Sequence, residues 1–349
     1  MKKNILIADD SALMRRVICD IINQDSSFQV TEICRDGLEA YGKIIAGNFD
    51  AIVLDVNMPR MDGLELLKKL QQENVKVTAI MVSTLTSEGS KVTMQALEFG
   101  AVDFVTKPDN VIEAKGEDFA TRLDAVLNAV LRTGRTTPVR IQKPLIRRET
   151  RPRTMNGQKI VALACSTGGP KSLQSVIPFL PKNLNAPVVI VQHMPKGFTK
   201  SMSERLNELS EVAVREACEG DVLKKGMVYV APGGKHLEVV RNHDGSHKVH
   251  LSDAPAIGGL KPCANIMYES LKKSGYDEVI CVVLTGMGAD GTSGILSLQA
   301  SKSIYTISQN EATCVVYGMP RAIAETGIVD KVVPLTEVAQ SIITNVGVQ

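Results

Sequence analysis

The chain has 349 residues, 44% of them hydrophobic and 22% charged, a length and balance that fit two globular domains, each with its own core, and not a disordered chain. No apolar run approaches the ~18 residues of a membrane span, and Asp9 and Asp10 fall where a secretory signal would still be apolar, so a cytoplasmic protein without direct membrane insertion is expected. The formal net charge of +2 hides an uneven distribution: residues 1–131 carry 14 Lys/Arg against 20 Asp/Glu, residues 132–159 carry 9 against 1, and residues 160–349 carry 17 against 17.

From Lys2 to Arg132, short β-branched runs alternate with helical patterns: NILIA, SALMRRVICDIINQ, VTEICRDG, LEAYGKIIAG, DAIVLDV, GLELLKKLQQ, VTAIMVS, SKVTMQALEFG, DFVTK and FATRLDAVLNAVLR. Five such units predict a doubly wound five-stranded parallel sheet with helices on both faces. Ligands of these sheets bind beyond the carboxyl ends of the strands. The first strand ends at Asp9 and Asp10, the third at Asp55, the fourth at Ser83 and the fifth at Lys107. Each residue alone reads as a turn or cap. Together, three carboxylates at one edge need a cation, and hard oxygen ligands suit Mg²⁺. A lysine and a hydroxyl beside them suit phosphoryl oxygens, so Asp55 is the candidate phosphoacceptor, Asp9, Asp10 and Asp55 the candidate metal ligands, and Ser83 and Lys107 the groups that bind the phosphoryl group.

Residues 132–159 hold prolines at 138, 144 and 152, little apolar periodicity and a charge of +8. A basic flexible linker is expected there. A basic run can also grip nucleic acid, but no aromatic residue interleaves the arginines and no DNA-binding motif follows, so no nucleic-acid partner is expected. The expected division is therefore 1–131, 132–159 and 160–349.

Alternation resumes with KIVALAC, KSLQSVIPFLP, APVVIVQH, KSMSERLNELS, VREAC, MVYVAP, KHLEVV, KVHLSD, NIMYESLKKSG, EVICVVL, GTSGILSLQASKS, SIYTIS and MPRAIAETG. A larger, mixed but mostly parallel α/β domain is expected, with KHLEVVRNHDGSHKVHLSD forming a hairpin that turns at Asp244-Gly245. Ser166 follows the first strand of this domain, His193 ends the strand APVVIVQH, and Asp290 lies in the glycine-rich loop TGMGADG. Nucleophile, base and carboxylate thus fall on one sheet edge, as a Ser-His-Asp triad requires. A serine hydroxyl needs an imidazole to take its proton, and a carboxylate fixes the imidazole tautomer. The main chain of Met287 is the candidate oxyanion donor. Against this reading, Ser166 and Asp290 could each cap the helix that follows. His236 is a rival base, while His243, His247 and His250 fall in the hairpin and are expected at the surface. The seven cysteines, odd in number and without a C-x-x-C pair, read as buried thiols.

Two resemblances sharpen these readings. ADDS, VLDVNMPRMDGLELL, MVSTLT and FGAVDFVTKP resemble a response-regulator receiver domain over about the first 125 residues. The resemblance implies phosphorylation of Asp55, Mg²⁺ held with the help of Asp9 and Asp10, an acyl phosphate sensed by Ser83 and Lys107, and an aromatic at Phe104 that repacks on phosphorylation. STGGP, VVIVQHMP, YVAPGGKH, VLTGMGADG and EATCVVYGMPRAI resemble the catalytic domain of chemotaxis protein-glutamate methylesterases over about residues 160–345. That family's triad falls on Ser166, His193 and Asp290 and its oxyanion loop on Met287, with Thr167 in the nucleophile turn. The resemblance implies a phosphorylation-activated hydrolase that demethylates, and deamidates, methyl-accepting chemotaxis receptors, with a chemotaxis histidine kinase as phosphodonor and no cofactor for ester hydrolysis. It also implies an unphosphorylated receiver that covers the cleft. Ala164-Cys165 stands where the family has Gly-Ala, and Leu260 to Asn265 reads LKPCAN where the family has His-Arg-Pro-Ser-Val-Asp. The second departure leaves a non-catalytic receptor-binding module as an alternative, and the receiver with its basic linker leaves a DNA-binding regulator as another.

Overall fold

The computed structural model describes residues 2–84, 86–108, 117–132 and 157–349, and the basic segment expected as a linker lies almost wholly outside them. Two compact units divide between Thr136 and Thr137. The first unit has strands β1 (Lys3–Ala8), β2 (Phe28–Cys34), β3 (Ala51–Asp55), β4 (Ala79–Ser83) and β5 (Ala101–Thr106). Its helices are α1 (Ala12–Gln24), α2 (Gly37–Ala46), α3 (Gly63–Gln72), α4 (Ser87–Glu98) and α5 (Glu117–Arg132). All pairings are parallel, in the order β2-β1-β3-β4-β5. The central strands β3 and β4 are buried along their whole length, as strands covered on both faces must be. Helix starts follow from side chains: Ser11, Asp36, Asp62 and Thr86 each accept a backbone N–H at the first turn of α1, α2, α3 and α4. Asp62 and Glu65 complete a capping box.

The order reverses beside β1, which lies between β2 and β3, and the crevice of such a sheet opens at this switch point. Asp9 and Asp55 stand at its two lips. Phe104, on β5, is buried at 4% exposure.

The second unit has β6 (Lys159–Cys165), β7 (Val188–Gln192), β8 (Ala213–Glu216), β9 (Met227–Val230), β10 (His236–Arg241), β11 (His247–Ser252), β12 (Glu278–Val283), β13 (Ser303–Gln309) and β14 (Lys331–Val333). Its helices are α6 (Gly169–Gln174), α7 (Phe198–Leu209), α8 (Ala264–Ser270), α9 (Thr292–Gln299), α10 (Met319–Glu325) and α11 (Val338–Val346). Seven strands pair in parallel in the order β14-β13-β12-β6-β7-β9-β8. The antiparallel component is β10 and β11, which form a separate two-stranded sheet around the expected turn. The mixture of strand directions thus belongs to the domain rather than to one sheet.

Two elements were outside the sequence reading: β14, three residues long with two exposed, and α11. The predicted helix KSLQSVIPFLP shortens to α6 and a 3-10 turn at Ile177–Phe179, because Pro178 lacks the N–H that a continuing helix would need.

The strand β6 comes first in this unit's chain order and lies between β7, the next strand, and β12, so the reversal of this sheet lies at β6. Its core is built from Ile160, Ala162, Ala164, Val189, Val191, Val279, Cys281 and Val283 under Tyr268, Met267 and Ile295. At the opposite, amino edge, Lys159 pairs across β6 and β12 with Glu278 at 2.7 Å, and its Nζ donates to the Asn345 carbonyl of α11 at 2.8 Å. Both side chains are nearly buried, so removing one charge strands the other in an apolar setting. Lys159→Met is expected to lower the unfolding free energy of this unit by about 3–5 kcal/mol in denaturant titration, and Lys159→Met/Glu278→Leu to recover most of that loss.

Candidate functional site

Ser166 lies one residue beyond β6. The ladder continues past the strand ends: Ser166 N–H donates to the Thr285 carbonyl at 3.0 Å, and His193 N–H donates to the Cys165 carbonyl at 3.2 Å. Cys165 pairs with Gln192 and Ala164 with Val283, so the residues after β6, β7 and β12 emerge side by side at the switch point. The residue that caps α6 is Gly168, at φ 75°, without a side-chain cap. Ser166 is therefore not the cap of the following helix. Its hydroxyl forms no hydrogen bond among the described residues, and the residue is 5% exposed.

Parallel strands alone do not bring the loops this close; the glycines do. A Cβ on Gly286 would stand 2.8 Å from Ser166 Cβ and 2.4 Å from Met319 Sδ. Gly286 N–H donates to the Val316 carbonyl, and the Gly286 carbonyl accepts from Gly318 and Met319. The loop that carries Met287 is thereby laid against Ser166. Behind it, buried Thr285 donates its hydroxyl to the Thr167 carbonyl (3.0 Å), accepts from Val316 N–H (2.9 Å), and its own N–H is received by Gln309 Oε1 (2.8 Å).

His193 Nε2 meets Asp290 Oδ2 at 2.7 Å, with both side chains buried. An ionised carboxylate only accepts, so Nε2 carries the proton and Nδ1 is left as the acceptor. Nδ1 is buried and has no hydrogen-bond partner among the described residues. No hydrogen bond joins it to Ser166 Oγ in this state, and such contacts often tighten only in complexes with substrate.

Asp290 does not cap the helix it precedes: α9 starts after Gly291, at φ 93° and without a side-chain cap. The carboxylate instead reaches the start of α8, accepting from Ala264 N–H at 2.6 Å and Asn265 N–H at 3.1 Å, and from the Cys263 thiol at 3.2 Å. Burial opposes its ionisation, but His193, the backbone of Ala264 and the Cys263 thiol outweigh burial and bring its pKa down to about 2. Asn265 returns the favour, its Oδ1 accepting from Gly291 N–H (3.0 Å) and Gly294 N–H (2.8 Å) at the start of α9. Each helix is capped from the other's amino end.

This arrangement answers the departure at residues 260–265. An amide oxygen at 265 and a thiol at 263 supply the acceptor and the donor that these positions need. Burial and the Asp290 charge push the Cys263 thiol up to about 11, so it keeps its proton and donates. Lys261 points elsewhere, its Nζ donating to the Asp253 carbonyl at 2.9 Å.

The other histidines are structural. His236 is fully buried and its ring bridges Cys263 N–H and the Pro255 carbonyl, which removes it as a rival base. His247, expected at the surface, is buried at 4% exposure, stacked on Tyr276 at 4.0 Å and accepting from Gly275 N–H; an aromatic below the hairpin, distant in sequence, covers it. His243 and His250 are exposed. The expectation of buried thiols holds for Cys34, Cys165, Cys263 and Cys281 and fails for Cys218, which is exposed, and for Cys19 and Cys314, which are partly exposed.

In the first unit, carboxylate oxygens of Asp9, Asp10 and Asp55 all lie within 4.8 Å of one another. Lys107 Nζ spans two of them, at 2.9 Å from Asp9 and 2.7 Å from Asp55. Burial raises the Asp55 pKa to about 6, with Lys107 opposing and Asp9 adding to the rise. Burial disfavours the charge on Lys107, yet Asp55 and Asp9 hold its pKa above the ordinary value. Arg15 donates to the carbonyls of Asp9 and Asp10, which ties down the loop that presents them. Ser83 stands at the same edge, but its hydroxyl donates to the carbonyls of Gly89 (3.3 Å) and Thr84 (3.4 Å). The three oxygen donors and their spacing fit Mg²⁺.

Sequence reasoning singled out Ser166, His193 and Asp290 and missed the residues that hold their loops, Thr285, Gln309 and Gln192. The buried polar residue at the end of an otherwise apolar strand, Gln192 in VVIVQ, was the one available signal.

Residues 161–342 match the family model described as CheB methylesterase, and residues 5–115 the one described as response regulator receiver domain. A protein of Geobacillus kaustophilus named protein-glutamate methylesterase/protein-glutamine glutaminase is 40% identical over 98% of both chains. A Bacillus subtilis protein of the same name is 40% identical over 97% of both. The crystal structure of the Thermotoga maritima CheB methylesterase catalytic domain is 40% identical, covers 54% of this chain and 98% of its own, and superposes with a TM-score of 0.52. With a receiver domain in front and near full-length relatives, the chain belongs to the CheB methylesterase family.

Proposed function

We propose that this protein hydrolyses glutamate methyl esters on methyl-accepting chemotaxis receptors, deamidates receptor glutamines by the same chemistry, and is switched on by phosphorylation of its receiver domain. The observation that carries this reading is the buried His193–Asp290 pair beside Ser166 at the switch point of the second sheet.

Ser166 Oγ attacks the ester carbonyl while His193 Nδ1 takes its proton. Ionised Asp290 stabilises the imidazolium that results. The oxyanion lies against main-chain N–H groups of the Met287 loop. As the tetrahedral intermediate collapses, the C–O bond breaks and methanol leaves with the proton from His193. A water, deprotonated by His193, then attacks the acyl-serine, releases the glutamate carboxylate and restores Ser166. With a glutamine side chain the leaving group is ammonia.

In the receiver, Asp55 accepts the phosphoryl group from a chemotaxis histidine kinase, and Lys107 and Ser83 bind its oxygens. Ser83 must turn from the Gly89 carbonyl to do so. Mg²⁺ held by Asp9, Asp10 and Asp55 would supply further positive charge at this edge. The working division is receiver 1–131, linker 132–159 and catalytic domain 160–349. No described helix is long and apolar enough to cross a membrane. The enzyme would meet its receptors from the cytoplasm. The alternative of a binding module without turnover rested on residues 260–265, whose contacts support Asp290.

Ser166→Ala is expected to abolish methanol release from methyl-labelled receptor; undiminished release rejects the mechanism. Asp290→Asn is expected to lower kcat by about 10⁴-fold through the wrong imidazole tautomer, read by steady-state kinetics. A small-molecule phosphodonor with Mg²⁺ should stimulate the native enzyme and not Asp55→Asn, and a chelator should remove that stimulation while leaving the basal rate unchanged.

A further inference from the structure

We propose that Gln192 is a positioning residue that sets the spacing between the nucleophile and the base; the proposal rests on the roles given above to Ser166 and His193. Gln192 ends β7 and is 2% exposed. Its Nε2 donates to the Ser166 carbonyl at 3.0 Å and to the His193 carbonyl at 3.2 Å. The last backbone rung between the two strands runs from His193 N–H to the Cys165 carbonyl. Beyond that rung no backbone hydrogen bond joins the two segments among the described residues, so the ladder no longer sets their register. One side-chain amide, with two protons, takes over and ties the residue that attacks to the residue that takes its proton.

Two further observations point the same way. The Gln192 Oε1 atom is buried without a hydrogen-bond partner. Leaving a buried acceptor unmade costs about 1–3 kcal/mol, so the amide is held at this position by the bonds of its two protons and not by its oxygen. What the amide supplies and methionine does not is the two-carbonyl bridge. Moreover, a Cβ on Gly169 would lie 1.9 Å from Oε1 and 2.9 Å from Cδ of Gln192. The absence of a side chain at 169, in the turn just after the nucleophile, is matched to the amide. Gly169 N–H also donates to the Ser166 carbonyl, at 2.7 Å, so this carbonyl is held from two sides while the hydroxyl is left free.

A catalytic geometry displaced by about 1 Å can lose on the order of 10²-fold in rate. In the full-length protein, assayed on a soluble methyl ester, Gln192→Met is expected to lower kcat by about 10- to 100-fold with KM within about twofold. The rate of Ser166 labelling by a serine-reactive phosphonate should fall in parallel. A Gln192→Met enzyme with native kcat overturns the proposal. Because this variant could fail to fold, Gly169→Ala provides an independent arm: it should lower kcat by displacing the amide, yet add little to Gln192→Ala, whose shorter side chain leaves room for the new methyl group. Additive effects of the two substitutions overturn the proposal. Ser166→Ala, run beside them, separates the outcomes: if it retains turnover the triad assignment itself falls, whereas native kcat in the Gln192 variants with a dead Ser166→Ala refutes the positioning role alone.

Discussion

A single buried negative charge organises the catalytic half of this protein. Asp290 lies in a setting that disfavours ionisation, and yet it is ionised, because a histidine, a thiol and the first N–H groups of α8 all direct protons at it. A helix amino end carries partial positive charge, and a carboxylate placed there is stabilised without needing a second formal charge. The same contacts fix where the carboxylate sits, and so which nitrogen of His193 it can meet. Tautomer, ring orientation and the start of α8 are settled by one group.

The crossed capping of α8 and α9 makes that placement difficult to disturb. Asn265 holds the helix that follows Asp290, and Asp290 holds the helix that contains Asn265. A shift of either helix would strip acceptors from the other. Replacing a carboxylate by an amide at 265 keeps the acceptor oxygen and removes a like charge from beside Asp290. The receiver solves a related problem by another route. There the crowded acids face Lys107 rather than helix ends, and Asp55 remains harder to ionise than an ordinary aspartate.

Much of this was readable from the chain. Alternating periods gave both parallel sheets, and the strand ends named Asp9, Asp55, Ser83, Lys107, Ser166 and His193, because a strand terminus is marked locally by where β-branched residues stop. Asp290 was legible only as a carboxylate in a glycine-rich loop. That it caps α8 across a gap of 26 residues follows from the packing of two helices, which no local pattern encodes. His247 went astray for the same reason: a hairpin histidine reads as exposed until Tyr276 is known to lie under it. Gln192 and Thr285 act through contacts with main-chain atoms, and such partners leave no trace in residue type.

The lysine between Asp9 and Asp55 carries one more implication. Its ammonium provides the receiver's acids with an internal counter-ion that relieves their mutual repulsion within the fold itself. A divalent ion held as proposed would enter a pocket whose charge Lys107 already partly compensates, and its attraction would be correspondingly moderated.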